Sequence, residues 1–354
     1  MKLKEKPEDF YVEEILDLKV NKKGDYCYFL LEKKNWTTTK AISTLAKIMK
    51  VSDRRFSFAG QKDRVGITKQ YVSVQGLHEE DFFRLKVKDM NLTFLGYGDN
   101  PIELGSAKGN FFRLVVKELE KPLDKVDCFV NYYDDQRFGG YRPNLHWVGK
   151  AYIMGYYEEA VRMMLCYPFN TENKDYRTAR KLFEKNWGNW KECLRNCPKM
   201  MEIESKILRS LVNDNNFKKA LKSLPRQLFS MIPHAYQSYL WNESLSRYLR
   251  KKYKGKEVEY CCGKFFFVSK YVDLDWPIID KATKVSGEIK EVIDKLLKEE
   301  GLSYSDFDKE KGLTRKAMIK LQDVKFGRFN RGVQEVSFFL PPGAYATMVM
   351  KTLN

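Results

Sequence analysis

Side chains alternating as in a half-buried strand fill the first 120 residues and return near the end of the chain, with a long helical stretch between. This pattern constrains the fold more than any single motif does. Period-two runs lie at about 9–15, 25–32, 55–59, 68–75, 91–96 and 110–118. A helix interrupts them at about 38–50, where Thr37–Thr39 offer an N-cap and Ala41, Ile42, Leu45, Ala46, Ile48 and Met49 recur at helical spacing. From about 145 to 250 the texture becomes amphipathic and helical, through Met200, Met201, Ile203, Ile207, Leu208 and Leu211 and then Leu228–Leu249. Pro233 predicts that this last stretch breaks or begins there, because proline removes a helical donor and clashes one turn back. Strand-like Val258–Val268 and a charged helix near 286–300 follow, and Gln334–Leu340, a PPG turn and Ala344–Leu353 read as strand, turn and closing helix. A helical region between two strand-rich ends is what one domain inserted into another produces. The expected division is a discontinuous α+β domain, residues 1–156 and 317–354, and an inserted domain, residues 157–316, that is α/β but mainly helical.

At 354 residues and 43% hydrophobic content, the chain can bury about two cores of ordinary size. Its 64 basic and 47 acidic residues leave a net charge of +17, which makes polyanions the natural partners through phosphate contacts and counterion release. The excess is spread over the body of the chain and not confined to a tail: +5 in residues 1–156, +9 in 157–316 and +3 in 317–354. Nucleic acid is therefore the leading partner. Seven cysteines without C-x-x-C spacing and three histidines indicate neither a disulfide framework nor a metal site. The N-terminal MKLKEKPEDF lacks an apolar secretory core, and no run of eighteen apolar residues could span a bilayer. A reduced cytoplasmic protein without membrane association is expected.

The stretch GQKDRVGITKQ, Gly60 to Gln70, places Asp63 between Lys62 and Arg64 at a turn joining two strands. Both cations are expected to hold the carboxyl group below its reference pKa of about 3.9, giving a dedicated anion suited to a nucleophile or base. Taken alone, Gly, Lys and Asp also make an ordinary solvated turn. A second cluster, NYYDDQRFGGYRPN from Asn131 to Asn144, follows a helical stretch and combines amides, aromatic rings, Arg137 and Arg142. Rings can stack on an unpaired base, an amide can read its edge, and arginine can meet phosphate. The plainer reading is a structural loop in which Phe138 is core. Tyr236, Tyr239, Leu240 and Trp241 read as packing, and the lysine runs at Lys251–Lys256 and Lys295–Lys298 as solvated faces. No G-x-x-x-x-G-K-[ST] and no strand-linked G-x-G-x-x-G is present, so cofactor-free chemistry is favoured.

Five separated segments, LKEKPEDFYVEE, FAGQKDRVGITKQYVSV, NYYDDQRFGG, HAYQSYLWN and LPPGAYATMVMKTL, in this order resemble the TruD family of tRNA pseudouridine synthases, in its archaeal form. The resemblance implies the pseudouridine synthase fold, with a mixed, largely antiparallel central sheet and an inserted TRUD domain. It implies isomerisation of a uridine of tRNA to pseudouridine, at position 13 in relatives, without cofactor or metal; a monomer is expected. The catalytic aspartate of the family falls on Asp63. Its substrate-contacting positions fall on Phe10, Asn131, Tyr133 and Tyr345, while Lys62 is left between RNA phosphate and a structural pair. Tyr133 and Tyr345 stand where phenylalanine is common in relatives, and Asp134 where glycine is. Asp63 can act as nucleophile or as general base, and the sequence keeps both routes open. Two rival readings are a non-catalytic RNA-binding protein or RNA chaperone, and an enzyme that releases the base and leaves abasic RNA.

Overall fold

The structure, a computed structural model, describes residues 1–83, 85–308 and 312–353. The chain divides into two compact units, 1–127 with 320–354 and 128–319. The first is built on one eight-stranded sheet in the spatial order Gln322–Phe326, Gln334–Leu340, Gly109–Val116, Phe10–Ile15, Ile67–Gln75, Tyr26–Lys34, Met90–Gly98, with Phe56–Phe58 paired additionally to Ile67–Gln75. Every pairing is antiparallel except that of Phe10–Ile15 with Ile67–Gln75, which is parallel. The sheet is thus mixed and largely antiparallel, and the strand periods read from the sequence correspond to these elements.

Ile67–Gln75 shares one of its edges. Tyr11–Glu13 lie against Ile67–Lys69, while Phe56–Phe58 lie against Val72–Val74. The chain from Ala59 to Gly66, which carries Asp63, therefore starts at one of these partners and ends beside the other. The helix Thr38–Ile48 is capped by Thr37, whose hydroxyl accepts from Lys40 N, and its Ala41, Ile42, Leu45 and Ala46 share a core with Phe29, Leu31, Val72 and Val74 of the sheet. A row of rings crosses three neighbouring strands: Phe10 meets Phe112 edge-on at 6.2 Å, and Phe112 stacks on Phe338 at 5.7 Å.

The second unit is mainly helical. Its longest element, Arg226–Lys252, runs unbroken through Pro233, contrary to the break expected there. Ile232, Ala235 and Tyr236 are buried on either side of the proline, and the neighbouring helix Leu145–Ile153 approaches so closely that a Cβ on Gly149 would lie 2.3 Å from the Ile232 carbonyl oxygen. Tertiary packing outweighs the missing donor. Two further differences have simple causes. Val258–Val268 is not one strand but a hairpin, Lys256–Tyr260 and Gly263–Phe267, turned at Cys261 and Cys262 with Gly263 at φ +145°. The segment entering Asn131 is the fully buried strand Cys128–Val130 and not a helix, since a short run of buried residues carries no period. The unit boundaries at 127/128 and 319/320 also differ from the expected 156/157 and 316/317, because the helix Leu145–Ile153 packs on Arg226–Lys252. Among the described residues, no helix is long and apolar enough to cross a membrane.

Phe338 is fully buried, so Phe338→Ala is expected to destabilise the first unit by about 3–5 kcal/mol in chemical denaturation, through lost burial and the cavity left against Phe112.

Candidate active site

The parallel pairing brings the N-terminal segment to the Asp63 loop. Gly66, at φ +135°, lies so close to the start of the strand Phe10–Ile15 that a Cβ there would sit 2.6 Å from the Phe10 carbonyl oxygen. Just before that strand, Lys4 Nζ donates to Asp63 Oδ2 at 2.8 Å and stands 3.6 Å over the Phe10 ring. The cation facing the aspartate is thus Lys4, 59 residues away in sequence, and not its neighbours Lys62 and Arg64. The Asp63 side chain remains 39% exposed, and its second oxygen, Oδ1, carries no hydrogen bond among the described residues. Phe10, only 3% exposed, is the apolar floor under this ion pair.

Lys62 points the other way, as alternation along an extended chain requires. Its ammonium pairs with Glu14 Oε1 inside the unit, where Glu14 is fully buried and Oε2 accepts from Tyr71 N at 3.0 Å. Of the two roles left to Lys62, this geometry is that of the structural pair.

Beneath the loop lies a buried polar cradle. Gln70 Nε2 donates to Gly60 O at 3.3 Å, Lys62 N donates to Thr38 Oγ1 at 3.0 Å, and Thr38 Oγ1 donates to Gln70 Oε1 at 2.8 Å. The third support is Lys33, 1% exposed, whose Nζ donates to Trp36 O at 2.7 Å and Asp63 O at 3.1 Å. Burial pushes the Lys33 amine down to about 8, against the pull of Asp63 and helped by the nearby Lys62 charge.

In the second unit, Asn131 and Tyr133 are held by Arg315, which lies outside every motif, and Tyr133 also by Trp241 and Asn242. Arg315 NH2 donates to Asn131 Oδ1 at 2.7 Å and to its carbonyl at 2.9 Å, while Asn131 Nδ2 donates to Lys316 O at 3.0 Å. The amide thus keeps one N–H and one lone pair beyond these bonds. Asn242 fixes the Tyr133 backbone from both sides, accepting from its N at 2.9 Å and donating to its carbonyl at 2.8 Å. The Tyr133 ring stands edge-on to Trp241 at 5.5 Å with the Arg315 guanidinium 4.3 Å from its centroid. Trp241 and Asn242 belong to HAYQSYLWN, so that motif serves to seat Tyr133. Arg137 donates to Ser238 Oγ at 2.9 Å, and Phe138 is core. Arg142 is committed to Glu172 and Glu204 beside the buried Arg180, and is not offered to phosphate. In the first unit, Tyr345 is half-buried where its carbonyl accepts from Met348 N at 3.0 Å, at the start of the closing helix Ala346–Leu353. Among the described residues, no group of three or more His, Cys, Asp or Glu is placed to hold a metal ion.

Comparison with known proteins places this chain in a family. The model of the family described as tRNA pseudouridine synthase D (TruD) matches residues 1–260 and 267–353. A protein of Nanoarchaeum equitans named a probable tRNA pseudouridine synthase D is 33% identical over 376 residues, covering 100% of this chain and 98% of the relative. The tRNA pseudouridine synthase D of Aquifex aeolicus is 31% identical over 383 residues, with 100% and 98% covered. The crystal structure of a TruD protein from Methanosarcina mazei superposes with a TM-score of 0.76 at 26% identity, covering 99% of this chain and 92% of that one. The chain belongs to the TruD family and has its fold.

Removing one partner of the buried Lys62–Glu14 pair strands a charge. Glu14→Gln is expected to cost on the order of 3–5 kcal/mol in chemical denaturation, and the double variant Glu14→Gln, Lys62→Met to recover most of that loss.

Proposed function

We propose that this TruD-family protein converts a uridine of tRNA, at position 13, to pseudouridine, with Asp63 as the group that starts the reaction. The observation that carries this reading is the Asp63 carboxylate itself: Oδ2 is held by Lys4 while Oδ1 is left to react, on a loop fixed from below. Moving the ribosyl bond from N1 to C5 of uracil requires the nucleoside to leave the helical stack, the C1′–N1 bond to break, the base to turn, the C1′–C5 bond to form, C5 to give up its proton and N1 to gain one. Oδ1 can attack C1′ as a nucleophile, displacing N1 and being displaced in turn by C5, or remove the C2′ proton as a base and return it once C5 is joined to C1′. Either route conserves every atom and electron of the substrate, so the chemistry asks for no cofactor.

The detached uracil must stay bound while it turns. Tyr133, its backbone pinned by Asn242 and its ring backed by Arg315 and Trp241, is suited to hold a base by stacking, and Tyr345 offers a second ring. The free N–H and lone pair of the Asn131 amide suit an imide edge. Phe10 contributes as the floor of the Lys4–Asp63 pair. The net charge of +17 supplies the sequence-independent attraction to the tRNA backbone. In this reading the protein works as a monomer in the cytoplasm.

Unmodified tRNA incubated with the native protein should gain pseudouridine, detected at single-nucleotide resolution, with unchanged RNA mass. Asp63→Asn should form none. Equal conversion by both proteins would remove Asp63 from the chemistry, and loss of uracil mass would identify a base-releasing enzyme instead. Tyr133→Ala should lower kcat by about tenfold or more while tRNA affinity, set mainly by phosphate contacts, changes by less than about threefold. Losses confined to affinity would place Tyr133 outside the reaction centre.

A further inference from the structure

The reaction attributed to Asp63 needs its carboxylate in one place, and Lys4 grips only the end of a flexible side chain. The backbone of the loop is held separately. Three buried groups reach it from below: Gln70 at Gly60 O, Thr38 at Lys62 N, and Lys33 at Asp63 O. Gln70 and Thr38 are neutral and bonded to each other, so they form an ordinary satisfied network. Lys33 is different. A fully buried ammonium is costly, and a hydrophobic or amide side chain at the same position would avoid that cost. Its two partners among the described residues are main-chain carbonyls, Trp36 O at 2.7 Å and Asp63 O at 3.1 Å, and it makes no ion pair within 4.0 Å there. It joins the chain just after its own strand to the very residue that carries the reactive carboxylate.

We propose that Lys33 is a positioning residue for the reaction, clamping the Asp63 main chain so that Oδ1 is held on target, and that its protonated form is the working form. This rests on the reading of Asp63 as the catalytic group.

The charged groups facing Lys33 are few. Asp63 lies above it with Lys4 on its outer oxygen, and Lys62 lies beside it, matched by Glu14 of the strand Phe10–Ile15. The strand Ile67–Gln75 presents the neutral Thr68, opposite Lys33 in register, and Gln70, and the helix Thr38–Ile48 presents the neutral Thr38. Among the described residues no carboxylate pairs with Lys33 directly, and burial holds its amine at about 8. Above that pH the clamp changes from charge-assisted hydrogen bonds to neutral ones of roughly half the strength. Activity should therefore fall as pH rises through about 8. Stability should move the other way. Between about 8 and the ordinary lysine value of 10.5 the unfolded chain holds this proton more tightly than the folded one, so this group adds stability as pH rises. Opposite trends in activity and stability separate a clamp from a merely structural lysine.

The test uses the full chain and an unmodified tRNA transcript. kcat and KM for pseudouridine formation are measured across the neutral to alkaline range for the native protein, Lys33→Met, Lys33→Gln and Asp63→Asn, with thermal unfolding followed on the same samples. The native kcat should fall through about pH 8 without a matching fall in unfolding temperature. Lys33→Met should lower kcat at neutral pH by about 10²-fold, the scale of a misplaced reacting group, with KM within about twofold, and should lose the alkaline limb. Lys33→Gln should lose the limb as well. A native profile flat through that range, native kcat in Lys33→Met, or persistence of the limb in either variant overturns the proposal. If neither variant folds, the native profile decides alone. Inactive Asp63→Asn beside fully active Lys33→Met sinks only the clamp, whereas active Asp63→Asn sinks the catalytic reading beneath it.

Discussion

One strand pairing makes the Asp63 side of the first unit possible. The parallel contact of Tyr11–Glu13 with Ile67–Lys69 carries the N-terminal segment to the Asp63 loop, and the contacts that segment makes with the loop follow from it. Lys4 reaches the carboxylate, Phe10 lies under the lysine, Gly66 accommodates the Phe10 carbonyl, and Glu14 reaches inward to Lys62. Parallel pairing needs a crossover, here the helix and strands between residues 16 and 66, so these contacts are non-local. An antiparallel hairpin around the same turn could have positioned neither cation.

The second unit solves a different problem, holding an aromatic residue in a loop. A tyrosine ring on a free loop would sample many orientations, and fixing one costs conformational entropy. Asn242 removes the backbone freedom of Tyr133 with two hydrogen bonds, and Trp241 and Arg315 limit its ring. Arg315 also ties down Asn131, so a single guanidinium sets both residues by its fixed fork of donors. The helix Arg226–Lys252 that supplies Asn242 and Trp241 tolerates an internal proline, and its buried face is what carries it through.

How much of this was legible in the sequence follows from how local each signal is. The helix Thr38–Ile48 carries its own cap and its own period, and Gln334–Leu340 is an apolar run bounded by a PPG turn, so both could be read directly. The motifs led to Asp63, Asn131 and Tyr133. Their partners were hidden, because Lys4 and Lys33 look like ordinary surface lysines when only neighbours in the chain are considered. Arg315 sits in a short strand with no motif around it, and Asn242 closes HAYQSYLWN, a motif that carries no hint of the loop it holds. Lys33 and Lys34 are adjacent and chemically alike, yet one is buried under the loop and the other pairs with Glu8 at the surface. The pleat of the strand decides between them, and which face is covered depends on tertiary structure.

The central claim is that Asp63 Oδ1 is aimed at the sugar of an extruded uridine. Its most direct measurement is an experimental structure of Asp63→Asn bound to unmodified tRNA, in which the substrate cannot turn over. The account predicts the target uridine out of its stack with C1′ or C2′ within about 3.5 Å of the substituted carboxyl position. A target uridine seated elsewhere, with that position facing open solvent, would contradict it.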